Sequence, residues 1–436
     1  MTNDRLGWEV GERFKETLES KEILYRIVES VERCIDRHYI KFTSENEEPL
    51  TLISGLSGCA LFYGYAYKKF KTPFLLERTF ELVETCIERI GEVEQPSLYQ
   101  GFTGIAWVIR HLVNIGIFET SSLEVLHEID EHIEKTIDIY EEHIYYSLMY
   151  GLIGHGVYFS EAKRNQTIGS TCAVDTNSIL KRIVGILENS AIKTKHGLTW
   201  VDNTSLDYHK KQKIIYNLGM PHGIAGVVSF LSEMANSGIE IDKCHYLIKE
   251  SLSWLLAEKR NFDGISYYPS LLADDEPAKI TRLSWAYGDL CSATAFLKGF
   301  HCLGERRFLD ESYESLIATT KRDASNSIIH VNPEDNQINA GLLKGAGGVI
   351  LMSKLLNDYF KNEIVDNKIN YWINRLLETQ VRGKEIGDFK SFFINEKEET
   401  RWDVDTGFLE GLSGVGLLFL YLSDNDLKDW QKVMLL

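Results

Sequence analysis

The sequence predicts an all-α fold, an α/α toroid in which seven inner helices are ringed by seven outer ones. Three observations predict it. A Gly-x-x-Gly element followed by an apolar run recurs along the chain. The stretches between its copies are charge-rich, with apolar residues at helical spacing. The 436 residues include only seven prolines, few enough for a chain that is helical nearly throughout.

Seven copies carry the first observation. They are SGLSGCALF from Ser54, QGFTGIAWV from Gln100, YGLIGHGVYF from Tyr150, HGIAGVVSFL from His222, YGDLCSATAF from Tyr287, KGAGGVILM from Lys344 and EGLSGVGLLFL from Glu410. Their first glycines are Gly55, Gly101, Gly151, Gly223, Gly288, Gly345 and Gly411, and only the Tyr287 copy departs, with Cys291 at the second glycine. Each apolar run is long enough for about two to three helical turns. A helix apolar on all sides must be buried on all sides, so these are the inner helices. An internal repeat at intervals of tens of residues makes one domain of residues 1–436.

The outer helices come from the intervening segments. In LERTFELVETCIERIGEV (Leu76 to Val93), Phe80, Val83, Ile87 and Ile90 share one face and the charges take the other. Short strands are expected only in connecting loops, as around DGISYYPS (Asp263 to Ser270). Glycine at a helix start permits close backbone approach. No copy continues into Gly-Lys-Ser/Thr, which excludes phosphate loops.

The residue before each first glycine is polar in every copy: Ser54, Gln100, Tyr150, His222, Tyr287, Lys344 and Glu410. If the inner helices start at one end, these side chains converge on a cavity. The helix N-termini would then add partial positive charge to it. A ring of caps and solvated turns would give the same pattern.

Composition limits the partners. A formal charge of −17 argues against nucleic acid and against an anionic membrane surface. No apolar run approaches a membrane span, and no basic start with an apolar core marks a signal peptide. The seven cysteines (Cys34, Cys59, Cys86, Cys172, Cys244, Cys291, Cys302) are scattered and never spaced C-x-x-C, which fits reduced thiols in a cytoplasmic protein.

NLGMPHGIAG (Asn217 to Gly226), RLSWAYGD (Arg282 to Asp289), LLKGAGG (Leu342 to Gly348) and GFLEGLSGVGL (Gly407 to Leu417) together resemble the lanthionine synthetase C-like family, the lantibiotic cyclases. The resemblance runs through all seven repeats and implies the same α/α toroid. It also implies intramolecular Michael addition of peptide cysteine thiols to dehydroalanine or dehydrobutyrine, forming thioether rings. The implied partners are a ribosomally made precursor peptide and a dehydratase and transporter of the same pathway.

Familiar members bind zinc through two cysteines and a histidine, and those positions are Ala286, Leu343 and Lys344 here. Alanine and leucine cannot ligate a metal, so the expectation is a zinc-independent relative without a cofactor. An aspartate often found four residues before the third repeat's glycine is Ser147. The resemblance implies His222 as acid/base, with Arg282 and Tyr287 beside the lost cysteine position at Ala286. Lys344 would hold a thiolate in place of the metal. The alternatives are that Lys344 is drift, paired with Glu410 or another carboxylate, and that the protein is catalytically silent and only binds the precursor or scaffolds a modification complex.

Other candidates are weaker. His155 follows a second glycine and reads as a core histidine. ADDEP (Ala273 to Pro277) has the look of an aspartate-rich metal motif but lacks a second acidic motif. Glu410 alone cannot make a glycosidase, which needs two carboxylates. Cys291, at a helix start, is either a thiol of lowered pKa or a small buried filler.

Overall fold

The computed structural model describes residues 18–41, 50–143, 145–169, 172–202, 214–273, 277–380, 389–394 and 400–436. Among the described residues there are fourteen α-helices. Seven of them begin at the repeat glycines: α2 (Leu56–Phe70), α4 (Phe102–Asn114), α6 (Leu152–Thr167), α8 (Ile224–Asn236), α10 (Asp289–Leu303), α12 (Ala346–Phe360) and α14 (Leu412–Ser423). The other seven are α1 (Leu18–Lys41), α3 (Pro73–Glu88), α5 (His127–His143), α7 (Thr176–Ser190), α9 (Ile241–Ala257), α11 (Arg306–Thr319) and α13 (Glu363–Gln380). The expected alternation of apolar and amphipathic helices is therefore present copy by copy.

The chain forms two compact units. Residues 95–322 with 431–436 make one. There α4, α6, α8 and α10 pack in sequence order, and α5, α7, α9 and α11 lie against them. Residues 1–94 with 323–430 make the other, where α14 packs on α12, α2 and α1, while α3 and α13 lie on α2 and α12.

Burial follows the sequence pattern. In α14 every residue from Leu412 to Leu422 is buried, as expected of a helix enclosed by others. In α7 the buried stripe is Ile179, Leu180, Ile183, Val184 and Leu187, and Asp175 caps its start by accepting from the amides of Asn177 (3.0 Å) and Ser178 (3.2 Å). One face was misplaced. In α3 the buried stripe is Leu75, Thr79, Leu82, Val83 and Cys86, whereas Phe80 is 48% exposed. Both stripes satisfy a 3.6-residue period, and Leu75 with Leu82 outcompetes the flanking aromatic for the packed side.

Among the described residues, strands are short and confined to connections. Three antiparallel pairs join β1 (Ile192–Lys193) to β2 (Leu198–Thr199), β3 (Ile215–Asn217) to β4 (Leu271–Ala273), and β5 (Ser391–Ile394) to β6 (Thr400–Asp403). Around Asp263 to Ser270 the structure has a turn closed by a single Phe262–Ser266 bridge, and pairing begins just after it, at Leu271. Asp274, Asp275 and Glu276 of the ADDEP stretch lie outside the described residues.

Candidate functional site at the helix starts

Each repeat glycine is the N-cap of its inner helix. The preceding loop curls back beneath the helix. The first helical amides of Phe102, Leu152, Ala346 and Leu412 donate to the carbonyls of Gln95, Tyr145, Asn339 and Asp405, seven residues earlier. A Cβ at Gly101 would overlap the Gln95 carbonyl, which explains why glycine sits there. Gly288 differs: its φ of 87° lies in the left-handed region. The same loop carbonyls correct an expectation, because those first donors are already engaged and do not point at a cavity as an anion site.

The loops carry two turn chemistries. In three copies a serine four residues before the glycine accepts the amide of the threshold residue: Ser97 from Gln100 (3.3 Å), Ser147 from Tyr150 (3.1 Å) and Ser284 from Tyr287 (3.3 Å). In three others an Asn or Asp six residues before accepts the amide two residues on: Asn217 from Gly219 (2.9 Å), Asn339 from Gly341 (3.1 Å) and Asp405 from Gly407 (2.6 Å).

Adjacent turns are stitched together by backbone hydrogen bonds. In residues 95–322 the amide of Tyr99 donates to Met149 O (3.4 Å), that of Leu148 to Pro221 O (2.9 Å) and that of Met220 to Ala286 O (3.1 Å). In the other unit Leu342 and Leu343 donate to Leu409 O (2.6 and 3.0 Å), and Leu409 to Ile53 O (3.2 Å). Within each unit the inner helices therefore start at one end. Their threshold residues break otherwise buried stretches. Tyr150, His222, Tyr287 and Glu410 are half-buried, and Ser54, Gln100 and Lys344 are exposed.

His222, Tyr287 and Arg282 belong to one unit, on neighbouring turns. His222 Nδ1 is 3.1 Å from Ser147 Oγ, and its ring stacks on Tyr150 with centroids 5.3 Å apart. Tyr287 packs on Gly219, where a Cβ would come 2.6 Å from Tyr287 Cδ1. Burial, with the negative charge of Asp202 second, pushes its phenol up to about 12, so it is protonated at neutral pH. Arg282 is half-buried on the same turn.

Lys344 belongs to the other unit and is exposed. Among the described residues it makes no ion pair, so the expected alternative of pairing with Glu410 is not formed. Solvation answers the question of how a lysine sits in this apolar stretch.

Two sequence candidates belong to the core. His155 is fully buried and burial pulls it down to about 3. Among the described residues neither ring nitrogen has a hydrogen-bond partner, and the ring lies 5.2 Å from that of Tyr140. Cys291 is also fully buried; burial raises its thiol pKa, and Sγ is 2.8 Å from Trp285 O. The filler reading holds for it, since desolvation outweighs any effect of the helix start. Sequence reading missed Asp202, which is 3% exposed and sits 2.7 Å from Asn217 Nδ2. The only signal for it was a lone acid in the apolar-flanked TWVDN stretch.

Residues 46–435 match the family described as lanthionine synthetase C-like protein. The chain belongs to that family. Its structure is similar to that of nisin cyclase, with a TM-score of 0.70 and 19% identity over 94% of this chain and 97% of that one. This shows the fold, and the all-α toroid class expected from the sequence is the one this chain has. The Lin0763 protein from Listeria innocua aligns with a TM-score of 0.43 and 12% identity over 85% of this chain and 84% of that one. No curated protein matches the sequence.

The zinc that the resemblance implies does not fit the side chains present. Ala286 is buried, with its carbonyl engaged by Met220; Leu343 is buried; Lys344 extends into solvent. None offers the thiolate or imidazole a zinc site needs. Among the described residues no group of three or more His, Cys, Asp or Glu could hold a metal ion, and no helix is long and apolar enough to cross a membrane.

Proposed function

We propose that the protein is a lanthipeptide cyclase that works without zinc at the family's position, in the cytoplasm and as one domain. It would close thioether rings in a precursor peptide already acted on by a dehydratase, before a transporter takes it on. One observation carries this reading. The family membership coincides with a half-buried histidine held by Ser147, on a turn stitched to the one bearing Tyr287 and Arg282.

The chemistry follows from those side chains. His222 takes the proton from a peptide cysteine thiol. The thiolate sulfur bonds to the β-carbon of a dehydroalanine or dehydrobutyrine, and the double-bond electrons move to the carbonyl oxygen as an enolate. The Tyr287 hydroxyl donates a hydrogen bond to that oxygen and Arg282 supplies positive charge. The proton held by His222 returns to the α-carbon, so the step is an addition with nothing released. Lys344 is assigned to favouring the thiolate, as a solvated ammonium.

A second reading has its own observation. The three positions without zinc donors suit a relative that only binds the precursor or assembles a modification complex. Mass spectrometry of thiol alkylation on a dehydrated precursor, with wild type and His222→Ala, separates the two. Rings from wild type and at least a hundredfold slower closure by the variant support the cyclase. Binding without rings in the wild type supports the scaffold.

A further inference from the structure

A cavity of about 280 Å³ lies at the ends of α6, α8 and α10 remote from the repeat glycines, within the unit of residues 95–322 and 431–436. Its walls carry Arg164 from α6, Glu233 and Asn236 from α8, Lys298 and His301 from α10, and Lys432 from the 3₁₀ turn Asp429–Met434. Apart from Leu436 the lining is polar. Ligand cavities run from about 300 to 1,000 Å³, so this one suits a compact, polar molecule.

Basic residues near helix C-termini are expected from the helix dipole alone, so their partners decide the matter. Elsewhere on the inner helices Lys69 meets Asp424 at 3.0 Å, Arg110 meets Asp130 at 2.5 Å and Lys354 meets Asp358 at 2.5 Å. Arg164 is paired twice, with Glu161 and, at 2.6 Å, with Glu233. That occupies the carboxylate side chain of the cavity wall. Lys298 is the exception. Among the described residues its ammonium makes no ion pair and no hydrogen bond. Desolvation pulls it below the usual lysine range in spite of Glu233, and pulls His301 down as well, with the Lys298 charge adding to the effect.

The walls are fixed by contacts outside the cavity. Glu161, which orients Arg164, lies 2.8 Å from His111 Nδ1 and accepts from Asn114 Nδ2 at 2.8 Å. The segment bearing Lys432 is held by Tyr99, whose hydroxyl donates to Val433 O (2.9 Å), and by Trp285, whose Nε1 donates to Met434 O (3.3 Å). The last carbonyls of α8 accept the amides of Ser237, Gly238 and Ile239, so the negative end of that helix is satisfied by its own chain.

We propose that this cavity binds a small dianionic oxyanion group, phosphate in kind, either free or carried on a compact metabolite. Lys298 and Lys432 supply the opposing charge, and Asn236 and Ser237 supply neutral donors. A single carboxylate would answer one ammonium and leave the other, whereas a phosphate dianion can answer both. The cavity is at the opposite ends of α8 and α10 from His222 and Tyr287, and the proposal does not depend on the cyclase reading.

Isothermal titration calorimetry of the full chain, at constant ionic strength set with chloride, tests this with inorganic phosphate and with glycerol phosphate as probes. One equivalent should bind saturably. Lys298→Met should weaken binding about tenfold or more, and Lys432→Met by less. Lys298→Arg should stay within about threefold of wild type, because the charge is kept. Phosphate should raise the thermal stability of wild type and not that of Lys298→Met. Tighter binding of the ester points to a carried phosphoryl group and tighter binding of inorganic phosphate to the free ion, and either supports the site. Saturable binding of neither probe overturns the proposal, as does a Lys298→Met variant that binds like wild type. Should that variant not fold, a wild type that phosphate fails to stabilise overturns it equally.

Discussion

Ser147 Oγ bridges two things at once: it accepts the backbone amide of Tyr150 at 3.1 Å and meets His222 Nδ1 at 3.1 Å. Ser97 and Ser284 close the same turn in their copies, so the serine is first a turn former. Its contact with His222 is what makes it part of the site. A serine fixes the ring's orientation but brings no charge to the imidazolium that forms when the thiol proton is taken.

Ser147→Ala separates these functions. The turn loses one hydrogen bond, worth about 1 kcal/mol, and His222 loses its orienting partner. Ring closure should fall about five- to tenfold, mainly in kcat, with the precursor KM little changed. Thermal unfolding alongside the kinetics checks it. A variant as fast as wild type would mean that the ring's other contacts, stacking on Tyr150 among them, orient the histidine.

Zinc should be absent as a stoichiometric component, given what occupies the three positions. Elemental analysis of protein purified without chelator should find well under one equivalent. One equivalent that disappears in His222→Ala would place a metal elsewhere on this turn and replace the mechanism given above.

His155 gives a stability signature unrelated to the reaction. Folded, burial holds it down to about 3, against an ordinary value near 6.5. The unfolded chain therefore takes up a proton below about pH 6.5 that the folded chain refuses. Stability from this site is intact above that pH and is lost as pH falls towards 3, by about 2 kcal/mol at pH 5. His155→Leu removes the liability. Urea unfolding at pH 7.5 and pH 5 should show wild type losing about 2 kcal/mol more than the variant over that interval. Equal losses would mean that the histidine gains a partner on protonation.

The repeat made the helix starts legible, because an N-cap glycine leaves a fixed spelling in the chain. All seven first glycines read from the sequence are N-caps. The outer faces were less so: Phe80 and Leu82 are equally apolar, and only packing decides which is covered. Asp202 was illegible for a different reason. Its partner, Asn217, is 15 residues away, and no local pattern marks that contact. Lys344 was read correctly as a threshold residue, but its exposure depends on neighbours that spelling does not specify.

That exposure changes what Lys344 can do. In a desolvated cavity an ammonium could lower a thiol pKa by one to two units, but water around this side chain screens it. Lys344→Met should then slow ring closure about three- to fivefold at low salt. The defect should shrink as ionic strength rises, since the Debye length drops from about 30 Å at 0.01 M to about 8 Å at 0.15 M. It should shrink again at high pH, where the thiol ionises unaided. His222→Ala should lose far more, and independently of salt, because proton transfer is not a matter of charge at a distance. Rate against salt and pH for both variants is the measurement. A defect in Lys344→Met that exceeds a hundredfold and ignores salt would show that the precursor peptide desolvates the ammonium on binding. No defect at any salt would make Lys344 an ordinary surface charge and leave the thiolate to His222 alone.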